Sequence, residues 1–227
     1  MFTASFFITL LLIKLIYPLA LRYSLVDSPN ARKMHTGHIP LIGGVAIFLS
    51  FFLQSVFVAS DLAELVPMLF SFTLIVLVGV LDDFKELSVK IRLVVQALAT
   101  CIMLFFTDIS LTSLGDLFGI GVIHLGILIV PFTIFAVIGS VNAFNMMDGI
   151  DGLSASLALV ALTGCYISID KVDIYSELLI SLMASLLAFL LVNLFAKQKI
   201  FMGDAGSMLL GFVISWFAIL FSQTDGG

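Results

Sequence analysis

Apolar runs of bilayer length leave this chain one environment to fold in. A helix needs roughly 20 apolar residues to cross a hydrocarbon core. The sequence divides into eight such stretches, near 2–21, 41–60, 66–81, 91–107, 122–141, 153–169, 176–196 and 207–222. Of its 227 residues, 61% are hydrophobic and 11% charged, where a soluble domain carries about 25% charged residues. In water most of this apolar surface would find no core to enter. The expected fold is therefore all-α, a polytopic integral membrane protein of about eight transmembrane helices in a single domain over 1–227. The runs are separated at Asp27-Ser28-Pro29-Asn30, Pro67, Gly115 to Gly119 and Lys197-Gln198-Lys199. No tandem repeat or low-complexity tract is visible.

The first run is too long for a signal-peptide core and has no small-residue cleavage site, so it reads as a retained helix. Cys101 and Cys165 lie inside apolar runs and read as small packed hydrophobes. No disulfide framework or Cys-x-x-Cys metal pattern is present. Orientation follows from Lys and Arg, which accumulate in cytoplasmic loops. Alternate loops hold Arg22, Arg32 and Lys33, then Lys85, Lys90 and Arg92, then Lys197 and Lys199, which is 8 of the 10 basic residues. The opposite loops hold Lys171 and are otherwise acidic, with Asp61, Glu64, Asp108, Asp116, Asp170, Asp173 and Glu177. The N-terminus is expected outside.

Three acidic clusters interrupt the apolar pattern, and all fall on the basic side, as does the His35-Thr-Gly-His38-Ile-Pro40-Leu-Ile-Gly43-Gly44 segment. Carboxylates at a membrane are costly and usually pair, face water or hold a metal. Asp82-Asp83 closes the third run. Adjacent carboxylates repel unless a cation neutralises them, although an isolated Asp-Asp is most often a solvated helix end. Asn142-Ala-Phe-Asn145-Met-Met-Asp148-Gly-Ile-Asp151-Gly152 is more specific. Asn142, Asn145 and Asp148 recur every three residues, which puts them on one face of a helical turn. Gly149 and Gly152 permit sharp turning or close approach of a ligand. Clustered oxygen ligands of this kind select Mg²⁺ or Mn²⁺ over zinc.

In Phe201-Met-Gly203-Asp204-Ala-Gly206-Ser207, Ser207 is expected to cap the next helix. The amides at that helix start are expected to attract phosphate, and Phe201 to stack on a base. His35 and His38 read as solvated loop residues, and Gly43-Gly44 as a close-packing helix start. Lys14, inside the first run, reads as a snorkelling residue with no assigned role.

Taken together, Leu-Asp82-Asp83, Asn142-x-x-Asn145-x-x-Asp148-Gly-x-Asp151-Gly and Phe201-Met-Gly-Asp204-Ala-Gly-Ser, after Pro40-x-x-Gly-Gly44, resemble the polyprenyl-phosphate N-acetylhexosamine-1-phosphate transferase family. The resemblance runs in matching order from about Leu25 to Phe212. It implies transfer of a sugar 1-phosphate from a UDP-N-acetylhexosamine to a polyprenyl phosphate lipid, with release of UMP. The implied setting is the bacterial inner (plasma) membrane with the site on its cytoplasmic face.

By the same resemblance Asn145 and Asp204 would hold Mg²⁺, with Mn²⁺ as substitute. Asp82, Asp83 and Asp148 would be catalytic, binding the lipid phosphate or accepting its proton. Lys90, Asn142, Asp151 and Phe201 would bind the nucleotide sugar, with Lys90 on the diphosphate and Asp151 and Phe201 at the uracil end. No nucleic-acid partner is implied, and self-association into a homo-oligomer is left open.

Members of that family continue into further spans and a His-bearing cytoplasmic loop. The expectation is that 1–227 corresponds to the N-terminal part of that architecture and, by itself, inserts in the membrane without measurable transfer. An ion-coupled transporter is the main rival, but it would place its charges near the midplane and often in two related halves. An intramembrane aspartyl protease would need Gly-x-Gly-Asp, and Phe201 stands where its first Gly belongs. A CDP-alcohol phosphotransferase would need Ala-Arg after Asp148-Gly149, and it is missing.

Overall fold

The structure, a computed structural model, describes residues 1–27, 37–59, 62–107, 109–119, 121–169 and 173–223. His35, the basic residues Arg32, Lys33 and Lys171, the acidic residues Asp61, Asp108 and Asp170, and Ser28-Pro29-Asn30 lie outside the described residues. The architecture is all-α. Its helices are α1 (Phe2–Arg22), α2 (Gly43–Val58), α3 (Leu62–Lys85), α4 (Val89–Phe106), α5 (Ile129–Met147), α6 (Leu153–Ile167), α7 (Ile174–Phe195) and α8 (Gly203–Gln223). A two-residue antiparallel pairing of β1 (Val26–Asp27) with β2 (Ile39–Pro40) joins the end of α1 to the start of α2.

Each apolar run became one helix, but the boundaries moved. α3 runs from 62 to 85 rather than 66 to 81, continuing through Pro67. A proline this near a helix start removes few intrahelical amides, so it does not break the run. α8 begins at Gly203, four residues before the expected 207. These shifts carry the acidic motifs onto helix ends. Asp82-Asp83 ride the last turn of α3, Asn142 and Asn145 the end of α5, and Asp204 the first turn of α8.

Among the described residues, six helices are long and apolar enough to cross a membrane: α1, α3, α4, α5 with the 3₁₀ turn before it, α7 and α8. The chain is thus a multi-pass membrane protein. The 16-residue α2 and 15-residue α6 rise only about 24 and 22 Å at 1.5 Å per residue, short of a roughly 30 Å hydrocarbon core.

α8 is the axis. Its apolar window is 72% buried, against 22% for α1 and α4 and 17% for α5, which turn most of their surface outward. Lipid gives helices no hydrophobic reason to associate, so packing relies on small residues and polar contacts. Both are present. A side chain at Gly44 of α2 would begin 2.1 Å from the Gly206 Cα of α8, and one at Gly79 of α3 would begin 2.3 Å from the Ala205 Cα. Further along α8, Gly211 lies against the Val141 backbone of α5 in the same way.

Phe72 of α3 meets Trp216 and Phe212 of α8 edge-on, at centroid distances of 5.5 and 5.8 Å. Buried serines tie α1, α2 and α7 together. The Ser5 hydroxyl donates to Ser181 Oγ at 2.8 Å and the Ser50 hydroxyl to the Ser5 carbonyl at 3.2 Å.

The helices alternate so that α3, α5 and α7 end, and α2, α4, α6 and α8 begin, at one end of the bundle. That end is held by backbone bonds. The Gly43 and Gly44 amides donate to the Phe201 and Met202 carbonyls, both at 2.9 Å, and the Phe201 amide donates to the Pro40 carbonyl at 2.9 Å. The reading of Gly43-Gly44 as a packing element holds. Lys14 is exposed and lines an open groove of about 340 Å³ between α1 and the end of α7, with Leu10, Ile13, Tyr17, Val192 and Gln198.

Candidate active site

The three acidic segments, up to 122 positions apart in sequence, touch at this end. Asp204 is their hub. Its Oδ1 accepts from Asn145 Nδ2 at 2.7 Å, and the same amide nitrogen reaches Ser207 Oγ at 3.0 Å. The Asp82 carboxylate lies within hydrogen-bonding and Coulombic reach of Asp204. Asp83 and Asp148 each face Asp204 electrostatically as well. Four carboxylates therefore share one neighbourhood, and two of them are in side-chain contact. Like charges that close need a proton or a cation between them.

Each acidic side chain is held by its own element. Asp82, 4% exposed, accepts from the Leu87 amide through Oδ1 at 2.6 Å and from Arg92 Nη1 through Oδ2 at 2.8 Å. Asp83 accepts from two amides of α8, Asp204 N at 2.8 Å and Ala205 N at 3.2 Å. Asp148, at the end of α5, accepts from the Ser154 hydroxyl of α6. Burial pushes its carboxyl up from 3.8 to about 7. The Ser154 bond opposes that rise, and the charges of Asp204 and Asp151 add to it. Gly152, with φ +69°, makes the left-handed start of α6 that brings Ser154 back over Asp148.

Two expectations are corrected. Two of the amides that open α8, those of Asp204 and Ala205, are not presented to a phosphate, because Asp83 occupies them. Ser207 does not cap α8; its buried hydroxyl accepts from Asn145, and the cap comes from α3.

The residues read as nucleotide-binding are spread more widely. Lys90 is exposed on the first turn of α4. Asn142 donates to Gln96 Oε1 at 3.0 Å and to the Ile138 carbonyl at 2.8 Å, which ties α5 to α4. Asp151 is exposed and ion-paired with Lys199. Lys199 Nζ in turn sits 5.6 Å from the centroid of the Phe201 ring, within the reach of a cation–π contact. Asp151, Lys199 and Phe201 thus form one patch beside the carboxylate cluster.

Among the described residues Arg92 reaches the cluster through Asp82, whereas the sequence points to Lys90. A signal existed. Arg92, Gln96 and Thr100 recur at i, i+4 and i+8, a polar stripe down one face of an otherwise apolar helix, and Gln96 and Thr100 are buried. Lys90 lies off that stripe. Ser154 was missed too, because a serine in the first turn of a helix carries no signal of its own.

Among the described residues, no three His, Cys, Asp or Glu side chains converge to hold a metal ion. The oxygens that do gather belong to Asp82 and Asp204, beside the Asn145 amide. Mg²⁺ usually takes one or two protein carboxylates and completes its shell with water and substrate phosphates. One carboxylate, Asp204, beside the side-chain amide of Asn145 fits that habit.

A membrane bundle that collects carboxylates and amides from three helix ends at one end of the bundle defines a polytopic protein with a polar cluster at that end. The chain belongs to glycosyl transferase family 4, whose model matches residues 65–222. It is similar to the undecaprenyl-phosphate alpha-N-acetylglucosaminyl 1-phosphate transferase of Salmonella typhi, at 38% identity over 97% of this chain and 61% of that protein. It is 36% identical to the protein of the same name from Escherichia coli K12, over 91% and 57%. The Haemophilus influenzae protein is 38% identical, over 97% and 63%. The chain spans about three fifths of the length of these relatives.

Proposed function

We propose that this chain carries the phosphate-handling part of a sugar 1-phosphate transferase. The donor is a UDP-N-acetylhexosamine such as UDP-N-acetylglucosamine, the acceptor is a polyprenyl phosphate and the leaving product is UMP. The observation that carries the reading is the meeting of Asp82, Asn145 and Asp204 from three separate segments, in a chain of this family. Phosphoryl transfer asks a protein mainly for positioning and charge neutralisation, and this end of the bundle supplies groups for both.

Asp204 and Asn145, with its amide turned to present oxygen, would hold Mg²⁺. The ion supplies neutralisation of the charge that develops on the diphosphate. Asp82 stands beside Asp204 with Oδ1 held by the Leu87 amide and Oδ2 by Arg92, so it would keep its place beside the lipid phosphate. Asp148, with a carboxyl near 7, can take a proton at Oδ2 while Oδ1 stays on Ser154. A phosphate monoester has a second pKa of about 6, so the lipid acceptor needs no stronger base. The partly exposed patch of Asp151, Lys199 and Phe201 suits the polar edge and flat face of a nucleobase. Lys90, exposed on the first turn of α4, would meet the diphosphate. The loop charges favour the cytoplasmic face of the inner membrane for this end. A cluster at one end of the bundle, rather than at mid-depth on broken helices, disfavours the transporter reading.

The test is transfer itself, in the intact protein with UDP-N-acetylglucosamine and undecaprenyl phosphate, scored as UMP release. Asp204→Asn is expected to cut kcat about 10³-fold, roughly 4 kcal/mol of barrier, while membrane insertion is unchanged. Transfer that survives both this substitution and thorough chelation of divalent ions would overturn the reading.

A further inference from the structure

The paired aspartates of α3 divide between two tasks. Asp82 turns one oxygen to Arg92 and stands beside Asp204. Asp83 turns the other way. Both its oxygens are committed to backbone, Oδ1 to the Asp204 amide at 2.8 Å and Oδ2 to the Ala205 amide at 3.2 Å. Helix starts leave several amides without intrahelical partners, and an anion at that end also meets the positive end of the helix dipole. Usually the cap is a local residue. Here the described cap comes from another helix, 121 positions earlier in the chain.

The residue before the capped amides is shaped to admit it. Gly203 has φ +74°, and a Cβ built there would lie 2.7 Å from Asp83 Oδ2. A side chain at 203 would be strained by its backbone and would push the carboxylate off the amides. The α3 side of the contact is equally tight, since a Cβ at Gly79, one turn before Asp83, would strike the Ala205 backbone. The α3–α8 junction is therefore set by Gly79, Asp83 and Gly203 together, and the residue it fixes is Asp204.

We propose that Asp83 is a positioning residue rather than a reacting group: it clamps the first turn of α8 and thereby fixes the Asp204 carboxylate against Asn145 and Asp82. This rests on the reading of Asp204 as the hub of the transfer site. What it adds is that the two adjacent aspartates are not interchangeable. An asparagine at 83 keeps one acceptor oxygen and part of the clamp, whereas alanine keeps none. A group that reacted with substrate, or neutralised it by charge, would lose its function in both.

The experiment compares Asp83→Asn, Asp83→Ala and Gly203→Ala with two readouts. The first is hydrogen exchange at the Asp204 and Ala205 amides of the detergent-solubilised protein, which needs no substrate. The second is kcat for UMP release in the intact protein. Asp83→Asn is expected to keep measurable protection of the Asp204 amide and to lose less than about tenfold in kcat. Asp83→Ala and Gly203→Ala are expected to lose protection at both amides and to lose 100-fold or more in kcat.

Asp83→Asn as inactive as Asp83→Ala, with its amides still protected, would overturn the proposal and make Asp83 a reacting group. Unchanged protection in Asp83→Ala would overturn it by showing that the clamp holds nothing. Should Asp83→Ala not fold, Asp83→Asn decides alone by whether activity follows protection. A wild-type protein that transfers no sugar phosphate would sink the functional reading, and the exchange result would still decide the clamp.

Discussion

Asp148 carries the clearest chemical consequence at the scale of one residue. Its carboxyl is lifted by burial to about 7, with the Ser154 hydroxyl opposing. Between about pH 4 and pH 7 the folded chain therefore keeps a proton that the unfolded chain has released. By linkage the folded state gains stability as pH falls through that window and loses it as pH rises through 7. Thermal unfolding in detergent should show wild type gaining on Asp148→Asn as pH is lowered from 7 to 4, with no further relative change below. Parallel curves would mean that Asp148 titrates as an ordinary carboxylate. Ser154→Ala should extend the window upward, since it removes the one contact that favours the charged form.

Which residues would gather could be read from composition and spacing, because carboxylates in an apolar chain must meet something. Which partner each would take could not. Asp82 on Arg92, Asp83 on the α8 amides and Asn142 on Gln96 are contacts between different helices, from 10 to 121 positions apart. Local pattern does not encode which helices become neighbours.

Helices were legible where the apolar run was long, and their ends were not. A charged residue reads as the end of a span, yet α3 continues through Asp82 and Asp83 to Lys85. Amides and a guanidinium meet those carboxylates and offset part of the cost of burying them. Close packing was visible as glycines, without a hint of which were needed. The structure separates them. A Cβ at Gly44 would lie 2.1 Å from the Gly206 Cα, while one at Gly139 would meet nothing within 4 Å. Neither helix backbone can yield as a flexible side chain would. Gly44→Ala is expected to cost about 1–3 kcal/mol through overpacking, read as a lower Tm in detergent. Gly139→Ala, in the outward-facing α5, is expected to be neutral or to gain up to about 1 kcal/mol from helix propensity. Equal effects of the two substitutions would mean that the α2–α8 contact does not constrain stability.

For the molecule as a whole the testable property is sidedness. The ends of α3, α5 and α7 and the starts of α2, α4, α6 and α8 meet through bonds whose partners are fixed, so this end of the bundle is one surface. The opposite end is tied separately, where the Gln223 side chain of α8 accepts from the Thr112 and Ser113 amides of the α4–α5 connection. If the bundle sits across a membrane, the carboxylate cluster and Gln223 must face opposite compartments. Lys85, Lys90, Lys197 and Lys199 belong to the first end and Asp116 to the second, so the positive-inside rule predicts that the cluster faces the cytoplasm. A single cysteine placed at exposed Lys90 or Lys197, in a chain first freed of Cys101 and Cys165, should react with an impermeant thiol reagent in inverted vesicles and not in intact cells. A cysteine at exposed Leu117 should do the reverse. Labelling of both positions from the same side would break the alternation of helices that builds the site. Labelling of both with sides exchanged would keep the site intact but turn it outward, away from any cytoplasmic nucleotide sugar, and the proposed reaction would lose its donor.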